Sequence, residues 1–134
     1  MENIRNSVTM EIFGTKLQDL SFPDSQVTEM RLDMEQGQFE VLIDGAHLDA
    51  EDAHGGSVLP EGRLLIEDWE SLEIRQFNPV SETWDNVPIK SADGLKDLCE
   101  VSFKTNIVLR GFSAKSGQWT EYKFTAPKRA RFIC

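Results

Sequence analysis

Apolar side chains recur at every second position along most of this chain, and that period is what most restricts the fold it can adopt. Val8, Met10 and Ile12 alternate with polar neighbours, Met30, Leu32 and Met34 do so again, and Phe39, Val41 and Ile43 follow the turn Glu35-Gln36-Gly37. The pattern continues through Leu64 and Ile66, Leu72 and Ile74, Val101 and Phe103, Ile107 and Leu109, and Tyr122 and Phe124. Residues spaced by two share one face of a strand, not one side of a helix. Between the runs stand Asp44-Gly45, Gly55-Gly56, Asn78-Pro79, Asp93-Gly94 and Ser116-Gly117, pairs whose backbone freedom and side-chain hydrogen bonds favour turns. The pattern predicts an all-β, mainly antiparallel single domain over residues 1–134, a β-sandwich or small barrel of about eight or nine short strands.

Helical signals are thin. They amount to one turn at Leu17 and Leu20 and a second, capped by Asp93, running through Leu98. The segment 105–127 reads as a long hairpin around the loop Ser113 to Gly117, with Phe112 and Trp119 facing each other at its base. Aromatic pairing across strands adds about 0.2 to 1 kcal/mol. The order GF, SGQW, EY and F in this segment resembles small stand-alone bacterial proteins of unknown or immunity-type function. The resemblance attaches no family name and carries over no functional residue.

With 134 residues the chain is long enough for one core. No stretch holds more than three consecutive hydrophobic residues, whereas a membrane helix needs about 20. The opening MENIRNSVTMEIF has no apolar region followed by a small-residue cleavage site, so a cytoplasmic protein is expected. Cys99 and Cys134, too few for a disulfide framework, are expected to be free thiols.

Charge is unevenly distributed. All but one of the 23 acidic residues fall within the first 100 positions, while half of the 14 basic residues lie beyond them, and the formal charge is −9. The basic end interleaves Lys104, Arg110, Lys115, Lys123, Lys128, Arg129 and Arg131 with Phe103, Phe112, Trp119, Tyr122, Phe124 and Phe132. Cations with stacking rings suit single-stranded nucleic acid, but alternation would turn the rings inward and let acidic strands neutralise the bases. A chain of this net charge also repels phosphate, which disfavours nucleic acid as a partner.

The residues that could carry chemistry are few. Histidine meets carboxylate only in DGAHLDAEDAHGG, where His47, Asp49 and His54 are the weak candidates for metal ligands. The motifs of calcium loops, phosphate-binding loops and nucleophile elbows are missing, so neither a cofactor nor a catalytic residue is assigned. The segment DWESLEIRQFNPVSETWDNVP has the aromatic and amide content of a binding surface, with Trp69 expected in the core and Trp84 and Asp85 as contact candidates in a loop. Together with the acidic stretch Asp44, Asp49, Glu51 and Asp52, they suggest a small acidic binding protein that neutralises a basic toxin or nuclease domain by surface complementarity. The alternatives are a ligand-binding or enzymatic β-domain, and a subunit-interaction module or homodimer pairing through an edge strand such as the last one, ending at Arg131 to Cys134.

Overall fold

The computed structural model describes residues 10–49 and 57–134. Its strands in chain order are β1 (Glu11–Phe13), β2 (Leu20–Ser21), β3 (Ser25–Asp33), β4 (Gln38–Ile43), β5 (Ala46–Leu48), β6 (Ser57–Leu59), β7 (Gly62–Glu67), β8 (Ser71–Asn78), β9 (Thr83–Val87), β10 (Asp97–Leu98), β11 (Glu100–Phe103), β12 (Ile107–Phe112), β13 (Trp119–Thr125) and β14 (Arg129–Ile133). Nine of these have four or more residues, close to the number the alternation implies, and the other five are two or three residues long. Short 3-10 turns occur at Gly14–Asp19, which contains Leu17 of the turn expected there while Leu20 begins β2, and at Ile89–Ser91. Val8 lies outside the described residues.

The molecule is an antiparallel β-sandwich. One sheet has the order β1-β14-β7-β4-β3-β10, the second β11-β12-β13-β8-β9, and a small third sheet has the order β2-β5-β6. Inward residues of the two large sheets meet in one core, where Phe39 lies 4.9 Å from Phe124 and 6.1 Å from Tyr122 between ring centroids, and Phe22 touches Phe132 and Phe103. Phe39, Val41, Ile43, Leu64, Ile66, Leu109, Phe124 and Phe132 are all fully buried. They are the alternate positions of their strands, which is why the period-two pattern reads directly as core.

Local chemistry sets the turns. The β3–β4 hairpin closes as Asp33↔Gln38, with the Asp33 carboxylate accepting from Gln36 N–H at 3.0 Å and Gly37 at φ +63°, a left-handed conformation that glycine adopts without steric cost. The β12–β13 hairpin pairs Phe112 with Trp119, the facing expected from the sequence, and their rings meet edge to face at 5.1 Å.

The segment around β10 overturns one expectation. Asp93 caps no helical turn through Leu98. Leu95 instead bridges Ser113, and Asp97–Leu98 is a strand. The Asp93 carboxylate accepts the Ser113 hydroxyl at 2.6 Å, so its capping capacity goes to the neighbouring loop. The backbone from Lys96 to Cys99 is held extended from both sides. Asp97↔Gln26 and Leu98↔Ser25 pair it with β3, while Lys96 N–H and Cys99 N–H donate to Phe112 and Arg110 of β12 at 2.9 and 2.8 Å. At Glu100 the chain continues into β11 of the second sheet. This stretch therefore joins the two sheets along one side, and two ladders of tertiary hydrogen bonds outweigh one local turn.

Two further readings change. The last strand is no edge, because β14 lies between β1 and β7. Trp84 sits in no loop; it belongs to β9, the outer strand of the five-stranded sheet.

Candidate functional site

The outward face of the five-stranded sheet carries the most unusual surface. Alternation sends Val108, Arg110 and Phe112 outward from β12, and Trp119, Glu121 and Lys123 outward from β13. From β8 and β9 it sends out Glu73, Arg75, Phe77, Trp84 and Asn86. Register then sorts them into rows. At one end, Phe112 faces Trp119 and Phe77 faces Trp84, and one step beyond the pair Thr120↔Gln76 brings Trp119 level with Phe77. Four aromatic residues thus cross four neighbouring strands on the solvent side. Phe77 and Trp84 meet edge to face at 5.6 Å, as Phe112 and Trp119 do at 5.1 Å, geometry that exploits the ring quadrupoles.

The next row alternates in charge across the five strands as Glu100, Arg110, Glu121, Arg75 and Asn86. Glu121 is the hub. Its side chain is only 5% exposed, and it takes Arg75 Nε at 2.6 Å and Arg110 Nη2 at 2.8 Å. Burial pushes its carboxyl pKa up, but the hydrogen bonds from Arg75 and Arg110 outweigh that and hold it below the usual range. Arg110 also donates to Glu100 at 3.1 Å. Arg75 lies with its guanidinium carbon 4.4 Å from the Trp84 ring centre, so one side chain holds both an ion pair and a cation–π contact. A carboxylate held this way is a poor base, and along this row the acidic and basic charges balance.

At the margin of this face, the β8–β9 hairpin is fixed by Asn78, whose side-chain oxygen accepts from Val80 N–H at 2.9 Å. The tip presents Val80 at 93% exposure, Glu82 is exposed two residues before Trp84, and Asp85, one residue after it, is exposed on the opposite face of β9.

The other sequence candidates are scattered. The Asp44 carboxylate accepts from Gln26 N–H at 2.9 Å, a bond that ties the β4–β5 turn to β3. Asp49 follows β5 in the three-stranded sheet, where its Oδ1 lies 3.1 Å from His47 Nδ1. Glu51, Asp52 and His54 lie outside the described residues. Among the described residues no three histidine, cysteine or acidic side chains form a group able to hold a metal. Trp69 packs half-buried against Phe124 at 5.1 Å, as expected of a core residue.

The basic end is largely neutralised from neighbouring strands. Arg110 pairs with Glu100 and Glu121, Lys123 with Glu73, Arg129 with Glu67 and Asp68, and Arg131 with Glu11. Glu67 and Glu73 thus face bases of the same chain. Both cysteines are free. Burial, with Asp24 and Asp97 nearby, pushes the Cys99 thiol up to about 12, and burial raises Cys134 too, so neither is an activated nucleophile.

The roles of Arg75 and Glu121 are missed by the sequence reading, because alternation assigns a side chain to a face but not to a neighbouring strand. Comparison with family models, with curated proteins and with solved structures found no match for this chain.

Proposed function

We propose that the protein is a cytoplasmic binding module that docks a basic partner protein against the outward face of its five-stranded sheet, as an inhibitor covering a toxin or nuclease domain would. The observation that carries this reading is the aromatic row Phe112, Trp119, Phe77 and Trp84, left on the solvent side of a sheet whose core is already filled by other aromatics. Tryptophan and arginine dominate interface hot spots, the first because it buries a large area while losing little side-chain entropy, the second through its planar, multi-donor guanidinium. Trp84 stacked by Arg75 joins the two types in one contact. Glu82 near the hairpin tip favours a cationic partner there, and Asp44, Asp49 and Asp85 add to the long-range attraction that speeds encounter.

The test is affinity capture from lysate of the source cells at low and high salt, with wild type beside Trp84→Ala/Trp119→Ala. A stoichiometric partner held by wild type, weakened by salt and lost from the double variant with its circular dichroism unchanged is the expected result. Equal retention by both proteins would overturn the assignment to this face.

A further inference from the structure

A second surface feature, remote in chemistry from the aromatic row, is a cleft of about 810 Å³ between the β1 end of the first sheet and the β11–β12 turn. Its apolar part comes from Phe13, which is 65% exposed, and from Leu17, Phe103 and Ile107, which are buried. Its polar part is cationic, with Lys104, Lys128, Arg129 and Arg131 on the lining. Glu11 and Glu67 also line it, but each faces an arginine, Glu11 at 3.3 Å from Arg131 Nη1 and Glu67 at 3.6 Å from Arg129 Nε. Lys104 and Lys128 form no ion pair among the described residues. In a chain of formal charge −9 this is a local reversal of sign.

One atom sharpens the chemistry. Among the described residues, Arg131 Nε is buried and has no hydrogen-bond acceptor. Buried donors are nearly always paired, so the Arg131 side chain, 44% exposed and held through Nη1 by Glu11, gains a partner for its guanidinium by turning toward an acceptor in the cleft it lines. A bare anion would leave Phe13 uncovered, and a neutral apolar molecule would leave the two lysines without partners. The volume falls in the range of small-molecule sites.

We infer that this cleft binds a small amphiphilic carboxylate, its head against Lys104, Lys128 and Arg131 and its apolar body along Phe13, Leu17 and Ile107. The inference is independent of the docking face, so Trp84→Ala/Trp119→Ala binds such a ligand as wild type does.

The experiment is calorimetric titration of the full chain with octanoate, with octan-1-ol and inorganic phosphate as controls for the apolar body and the anion. Expected are one saturable octanoate site, at least tenfold weaker binding of either control, and at least tenfold loss in Lys104→Glu/Lys128→Glu with the melting temperature unchanged. Phe13→Ser, a change at an exposed position, is expected to weaken octanoate as well. In nuclear magnetic resonance spectra, octanoate should shift the amides of Lys104, Ile107 and Lys128. Absence of saturable octanoate binding, a control that binds as tightly as octanoate, full affinity in the lysine variant, or shifts confined to other strands would each overturn the inference.

Discussion

The same arrangement, one glutamate between two arginines, occurs on the outward faces of both large sheets, and the two copies differ in depth. On the five-stranded sheet, Glu121 lies between Arg75 and Arg110 at 2.6 and 2.8 Å, with side chains 5%, 38% and 37% exposed. On the six-stranded sheet, Glu40 lies between Arg31 and Arg63 at 3.5 and 3.3 Å, and those arginines are 69% and 51% exposed. The contrast comes from neighbours. Arg75 is covered by Trp84, whereas Arg31 lies beside the exposed Glu29 with no aromatic ring over it among the described residues. A flanking aromatic row excludes water and strengthens the charges beside it, and without such a row the same three residue types remain a solvated surface pair.

The comparison breaks most severely where the sheets join. An alanine Cβ at Gly111 would stand 2.1 Å from the backbone oxygen of Asp97, in the seam between β10 and β12. Backbone cannot yield as a side-chain tip does, so Gly111→Ala is expected to cost about 3 kcal/mol or more, read by chemical denaturation. The charge clusters come next. Glu121→Ala should cost about 2 kcal/mol, and Glu40→Ala no more than about 0.5 kcal/mol. Equal costs would remove the distinction between the faces.

Acid refines that test. The Glu121 carboxyl is lowered from its unperturbed value of 4.5. Its stabilisation is therefore complete above that pH and is lost as pH falls through the lowered folded value. Denaturation of Glu121→Gln beside wild type should show a gap at neutral pH that closes in acid. Asp93, also lowered although burial alone would raise it, because the Ser113 hydroxyl and backbone amides donate to it, leaves some acid sensitivity in both proteins. The smallest effect is the coupling between Phe112 and Trp119, about 0.5 to 1 kcal/mol in a double-mutant cycle of alanine variants. A coupling near zero would mean the row is assembled by register alone.

The fold was legible where information is local. Glu35-Gln36-Gly37 and Ser116-Gly117 mark hairpins whose partners are adjacent in sequence, and alternation picked Phe39, Val41, Leu64 and Phe124 for the core. Non-local pairing stayed hidden. Nothing around Arg75 announces a contact with Glu121, 46 residues away, and the aromatic row exists only once β12, β13, β8 and β9 lie side by side. Asp93 shows the opposite error, a local cap signal used by a distant hydroxyl. Trp84 stands out by residue type alone, and its place in a strand is hidden because β9 alternates too weakly to read as one.

The insertion of β14 between β1 and β7 has a consequence in time. Glu11↔Ile133 is a pairing across most of the chain, and Arg129↔Glu67 spans nearly half of it. During synthesis, β7 keeps an unpaired hydrogen-bonding edge, and β1 has no neighbour in its sheet, until residues 129–133 leave the ribosome. Closing contacts of such separation is slow. An open strand edge in the interval can recruit the wrong chain. The nascent chain is therefore most vulnerable to misassembly until β14 has emerged, and the five residues of that strand act as the closure of the sheet.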